Sequence, residues 1–128
     1  VSNLAIKAHS ELSWYLPGKV MCLRISGDYA LEDSTRINAA IIEELEQSPN
    51  DLSLLIDATE MTRPYHFSQL RTTQNYKDHH RLQHLYIVTG DRLVKLALMI
   101  IFNVSRAQLI LCDGIAAAHK RINLHFGQ

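Results

Sequence analysis

The chain has 128 residues, enough for one domain and too few for two full cores. Thirteen Lys and Arg balance thirteen Asp and Glu, which argues against a general nucleic-acid binder with its strong basic excess. Apolar residues at 47% and charged residues at 20% suit a globular protein and not a disordered one.

Residues 1–10 read as a lead-in to a single domain spanning 1–128. They hold no basic segment followed by an apolar run, so no signal peptide is expected in the residues given. Residues 11–16 (ELSWYL) alternate weakly, and residues 19–26 (KVMCLRIS) favour a strand. Pro17-Gly18 is a turn signal between them and Gly27-Asp28 ends the second, which predicts a hairpin.

Residues 31–47 predict an amphipathic helix. Leu31, Ile37, Ile41, Ile42 and Leu45 share one face, while Glu43, Glu44, Glu46 and Gln47 lie away from it. Pro49 stops it. Residues 52–56 (LSLLI) predict a buried strand ending at Asp57. Over residues 62–80 the pattern thins to Phe67, Leu70 and Tyr76 among polar neighbours, predicting a helix with one narrow buried edge.

Residues 85–88 (LYIV) predict a strand closed by Thr89-Gly90-Asp91, with Asp91 as N-cap of a helix from Arg92 to about residue 105. Residues 109–112 (LILC) predict a last strand. Asp113-Gly114 then leads into a final helix carrying Ile115, Ala118, Ile122 and Leu124. The order ββαβαβαβα implies an α/β fold with a mostly parallel sheet of about five strands, the first strand antiparallel.

Cys22 and Cys112 both lie in apolar runs, and no CxxC is present. Two buried thiols suit a reducing compartment, so a cytoplasmic location is expected. The most apolar stretch, residues 93–104, is interrupted by Lys95 and Asn103. It is far shorter than the roughly 20 residues a membrane span needs.

In open α/β sheets, ligands favour the loops after strand carboxyl ends. Those loops carry Asp28, Asp57, Glu60, Arg63, Tyr65, His66, Thr89, Gly90, Asp91 and Arg92 as candidate ligand residues. No catalytic constellation emerges from them. There is no GxSxG elbow, GxGxxG or GxxxxGK[ST]. Thr89-Gly90 before a helix start could hold an anion weakly, but a plain helix cap explains it better. His79, His80 and His84 form HHxxxH without a Cys or Glu nearby. They are read as exposed imidazoles in the last turn of a helix, not as metal ligands. No metal and no cofactor is expected.

The helix from Arg92 is the anomaly. Leu93, Ala97, Ile100, Ile101 and Val104 suffice to meet a sheet, yet Leu98, Met99 and Phe102 lie opposite, beside Lys95. A helix apolar all round is either buried on both sides or offers a patch to something else. A homodimer, another protein or a lipid surface are the options; three harmless exposed side chains are the bland one.

Several local signatures resemble a STAS-like domain, the superfamily of the bacterial anti-sigma-factor antagonists (SpoIIAA-like). They are Gly18-Lys19-Val20 through Arg24-Ile25-Ser26-Gly27-Asp28, Leu31-Glu32-Asp33, Leu54-Leu55-Ile56-Asp57, Ile87-Val88-Thr89 and the closing strand–helix pair. A lead-in Trp14-Tyr15-Leu16-Pro17-Gly18 is similar to that of small bacterial proteins of this type. The resemblance covers about residues 11–126. It implies helices wound successively along a sheet in a β-α superhelix. It also implies non-enzymatic protein–protein regulation, sometimes with nucleotide or lipid ligands. The antagonists' Asp-Ser-Ser-Gly-like phosphorylation motif has no counterpart in residues 61–67, and nearby Ser68 is not assigned that role. Ala30 also departs, since relatives often cap the first long helix there with Thr, a loss of about 1 kcal/mol unless Asp28 takes over.

The expected function is a non-enzymatic regulatory or interaction domain, self-associating through Lys95, Leu98, Met99 and Phe102. The alternative is a carrier or sensor of a lipid or other apolar small molecule. A hydrolase-type enzyme stands last.

Overall fold

The computed structural model describes residues 10–62, 67–102 and 105–127, with the side chains of Phe67, Ser68 and Arg71 excepted. The expected loop residues Arg63, Tyr65 and His66, and most of the 1–10 lead-in, lie outside the described residues. So do Val104 of the last apolar stretch and the side chain of Ser68.

The elements run β1 (Ser10–Leu16), β2 (Val20–Gly27), α1 (Leu31–Gln47), β3 (Leu52–Met61) and α2 (Phe67–Thr73). A 3-10 turn (Asn75–Asp78), β4 (Leu82–Val88), α3 (Arg92–Ile101), β5 (Gln108–Cys112) and α4 (Ile115–His125) complete the order. The five strands lie side by side in chain order, β1 antiparallel to β2 and every later pair parallel. At the hairpin, Gly18 takes a φ of 75°, which only glycine adopts without strain, and Lys19 N–H closes the turn onto Leu16 O at 2.9 Å.

A sheet that grows strand by strand in one direction, with crossovers of one hand, places all crossover helices on one face. That is where α1, the 3-10 turn and α3 bury Ile37, Ile41, Leu45, Tyr76, Val94 and Leu98 against Leu23, Leu54, Ile56 and Ile87. The last helix crosses to nothing. It packs Ala118 and Ile122 on the opposite face, against Leu55, Tyr86, Val88 and Ile110. Each fully buried side chain of this size contributes roughly 1.5–3 kcal/mol.

The α1 helix has the bounds its pattern predicts, with Ile37, Ile41 and Leu45 buried and Leu31 and Ile42 half-buried. Its N-cap, Ala30, offers no side-chain hydrogen bond, and Asp28 does not replace one.

Four expectations need correction here. First, β3 does not end at Asp57 but continues to Met61. Ala58 and Met61 turn into the core while Thr59 and Glu60 face out, and Ser26 and Gly27 of β2 pair with Glu60 and Met61. Second, β4 begins at Leu82, so His84 is a buried strand residue and not an exposed imidazole on a helix end. Leu82 is buried and pairs with Leu52, and Leu52 N–H bonds to Arg81 O at 2.8 Å.

Third, the predicted helix over residues 62–80 is a short α2 and a separate 3-10 turn. Leu70 and Tyr76 are buried as expected, but so is Gln74, whose amide donates to the Ser34 and Thr73 hydroxyls. The Tyr76 N–H donates to Asn38 Oδ1 at 3.0 Å, tying the turn to α1. Fourth, Leu124 on α4 is not a core residue; it is 74% exposed. Among the described residues, no helix is long and apolar enough to cross a membrane.

Candidate functional site

At the strand carboxyl ends Asp57, Glu60, Thr89 and Asp91 are committed to local structure. Asp57 Oδ1 accepts from the Thr59 N–H at 3.1 Å and its hydroxyl at 2.7 Å. Glu60 pairs with Arg24 at 2.9 Å on the open sheet surface. Thr89, which is buried, accepts from the Asp91 N–H at 3.2 Å. Asp91 then caps α3, its Oδ1 accepting from the N–H groups of Leu93 at 2.8 Å and Val94 at 3.1 Å. Donors that could have met an anion at Thr89-Gly90 are thus taken by the chain's own carboxylate. Asp28 and Gly90 are exposed, and of this set only Arg92 lines the groove described next.

The two thiols stay protonated at neutral pH. Burial, then the Asp57 carboxylate, pushes Cys22 up to about 11, and burial also raises Cys112. Both are free, and neither resembles a thiolate nucleophile.

The α3 helix is apolar on both sides, but its faces are rotated about a quarter turn from the expected ones. Leu98 and Phe102 were placed on the outward surface by their sequence spacing; they are core residues, 2% and 3% exposed. With Val94 and Ile101 they form the inward stripe, and the Phe102 ring packs 6.0 Å from that of Tyr76. The outward surface instead carries Leu93, Leu96 and Met99, at 50%, 53% and 42% exposure. Met99 and half-buried Lys95 lie outward as the spacing predicts, joined by Leu93, which the spacing predicts to meet the sheet, and by Leu96, which falls in neither predicted stripe.

The reason is that apolar residues occupy nearly every position from 93 to 102, so two stripes satisfy the helical period equally. The i, i+4, i+7 spacing of Val94, Leu98 and Ile101 was the available signal. Nothing in hydropathy alone ranked it above its rival.

Around Leu93, Leu96 and Met99, with Arg92 and Lys95 at the edge, runs an open groove of about 550 Å³. Lys95 reaches Asp113 at 3.6 Å, and that carboxylate is almost wholly exposed. The surface therefore combines an apolar strip, a cation and a solvent-facing anion. It can bury area against another surface; it holds no evident acid–base pair or nucleophile.

No known family profile matches the chain, and no curated protein is detectably similar to it in sequence. A solved structure does match: an uncharacterized protein of the DUF3478 family with a SpoIIAA-like fold, from Shewanella loihica PV-4. It superposes with a TM-score of 0.65 over 93% of this chain and 98% of that one, at 13% identity. Identity that low speaks to architecture alone. The chain has the SpoIIAA-like fold.

Proposed function

We propose that this domain works by binding and not by catalysis, and that it associates with a second copy of itself through the outward face of α3. The observation that carries this reading is the concentration of exposed apolar side chains. Among the described residues four large hydrophobic side chains are exposed, and Leu93, Leu96 and Met99 share α3. Contiguous apolar surface of this kind favours association. A second copy suits it because Lys95 and Asp113 offer both signs of charge beside the strip, so a two-fold arrangement can match each with its opposite. Zero net charge adds no long-range repulsion between copies. Protonated thiols and locally committed carboxylates support binding over chemistry.

Sedimentation velocity at micromolar concentration tests this directly. The wild-type chain should sediment as a dimer, and Leu96→Glu should shift it to monomer without loss of folding. A wild-type monomer, or a dimer indifferent to Leu96→Glu, overturns the interface.

A second reading, a carrier of an apolar small molecule, draws on a void beneath α3 bounded by Leu23, Ile56, Leu98 and Phe102. The buried hydroxyls of Tyr29 and Tyr76 and the Gln74 Oε1 there make no hydrogen bond of normal geometry. The void measures about 10 Å³, room for about one water molecule. A carrier would need α3 to move away from the sheet. Co-purified lipid in native mass spectra would favour this reading over the first.

A further inference from the structure

On the opposite face of the sheet lies a second cluster that α3 does not touch. His84 and Tyr86 alternate on β4 and so project to the same side, opposite Gln108 and Ile110 of β5 in register. Arg121 and His125 stand one turn apart on α4 and close the other wall. Together these side chains line an open groove of about 430 Å³.

Its chemistry has one sign. Arg121 makes no ion pair among the described residues, and none of the described residues lining the groove is acidic. The Tyr86 hydroxyl is buried and has no hydrogen-bond partner among the described residues, a donor left unused at a cost the fold must absorb. The rings of His84 and His125 meet edge to face, 4.5 Å between centroids. Ser53 Oγ lies 3.4 Å from His84 Nδ1, which leaves Nε2 for another partner. Exposed Leu124 adds an apolar rim.

We infer that this groove binds a phosphate monoester, with the phosphate among Arg121, His84, His125 and the Tyr86 hydroxyl and its organic part against Leu124 and Ile110. A guanidinium suits a phosphate in bidentate fashion, and the phenol O–H and the amide and imidazole N–H groups supply further donors. A phosphate offers three terminal oxygens to a guanidinium and two adjacent imidazoles, where a carboxylate offers two oxygens. The volume exceeds what inorganic phosphate needs, and the apolar rim accounts for the remainder.

Phenyl phosphate serves as the probe, with inorganic phosphate and phenol beside it, followed by NMR of the histidine rings. Phenyl phosphate should shift the His84 and His125 resonances in a saturable way, inorganic phosphate more weakly, and phenol not at all. Arg121 is exposed on α4, so Arg121→Gln should keep the fold. It should weaken phenyl phosphate about tenfold or more, as expected for losing a charge-assisted hydrogen bond. Leu124→Ser should weaken phenyl phosphate and leave inorganic phosphate unchanged. No saturable shift, equal binding of phenol, or an Arg121→Gln variant that binds as wild type would each overturn the site. Because α3 lies on the other face of the sheet, none of these results depends on the dimer.

Discussion

The α1 and α3 helices do the same structural job on the same face of the sheet, and they differ in how much of that job their sequences reveal. In α1, apolar and charged residues are segregated around the axis, so bounds and buried face follow from one pattern. In α3, apolar residues surround the axis, so orientation is decided elsewhere. Loss of directional information and surplus apolar surface have one origin. The helix whose face is hardest to read is the one that leaves apolar surface exposed.

The two helices also differ at their starts. The Asp91 carboxylate accepts from two N–H groups in the first turn of α3, while α1 starts at Ala30 with no side-chain cap. The long, well-segregated helix tolerates a weak start because three turns of burial hold it. The shorter α3, ten residues long, relies on its cap.

The largest expected effect separates the two sides of α3. Leu98→Ala opens a cavity in the core and should cost about 2–5 kcal/mol in urea denaturation. Leu96→Ala, two residues away, should stay within about 0.5 kcal/mol when both are read at concentrations where the chain is monomeric. Equal costs would mean that the inward stripe is misassigned.

The caps give the next contrast. Asp91→Ala should destabilise by about 1 kcal/mol, and Ala30→Ser should stabilise α1 by about 0.5–1 kcal/mol, both read from denaturation midpoints. If Ala30→Ser changes nothing, the α1 start is satisfied by solvent alone.

The smallest effect concerns the other face of the sheet, where β4 meets α4. Burial, then His125, holds the His84 imidazole below its usual range. The folded state therefore takes up this proton less readily than the unfolded chain. The associated stability is full above the ordinary pKa of about 6.5 and is lost as pH falls through the lowered value. Urea midpoints should decline on acidification across that window, and His84→Gln should flatten the decline. An unchanged slope would assign the pH dependence to other groups.

Much of the fold was legible. Pro17-Gly18 marks the hairpin, the spacing of Ile37, Ile41 and Leu45 marks α1, and Asp91 marks the start of α3. The strand–helix order carried the STAS-like resemblance. The candidate site was legible only as a helix: α3 was singled out, and Met99 and Lys95 lie outward, but Leu98 and Phe102 belong to the core. The polar end of β3 and the strand position of His84 were also hidden. Asp57, Thr59 and Glu60 look like loop residues until β2 supplies a pairing edge. His84 looks like the end of a helix until Leu52 and Gln108 flank it in register.

Local pattern by itself determined the order of strands and helices, where the sharpest breaks fall and that the sheet is mostly parallel. Those features depend on interactions within a few residues: turn conformations, caps and the period of apolar side chains. The tertiary structure alone decided which stripe of α3 meets the sheet and which polar groups converge between β4, β5 and α4. Such choices depend on partners distant in sequence. The free energy that separates two equally apolar stripes comes from the shape of the surface they meet, and that surface exists only once the strands have paired.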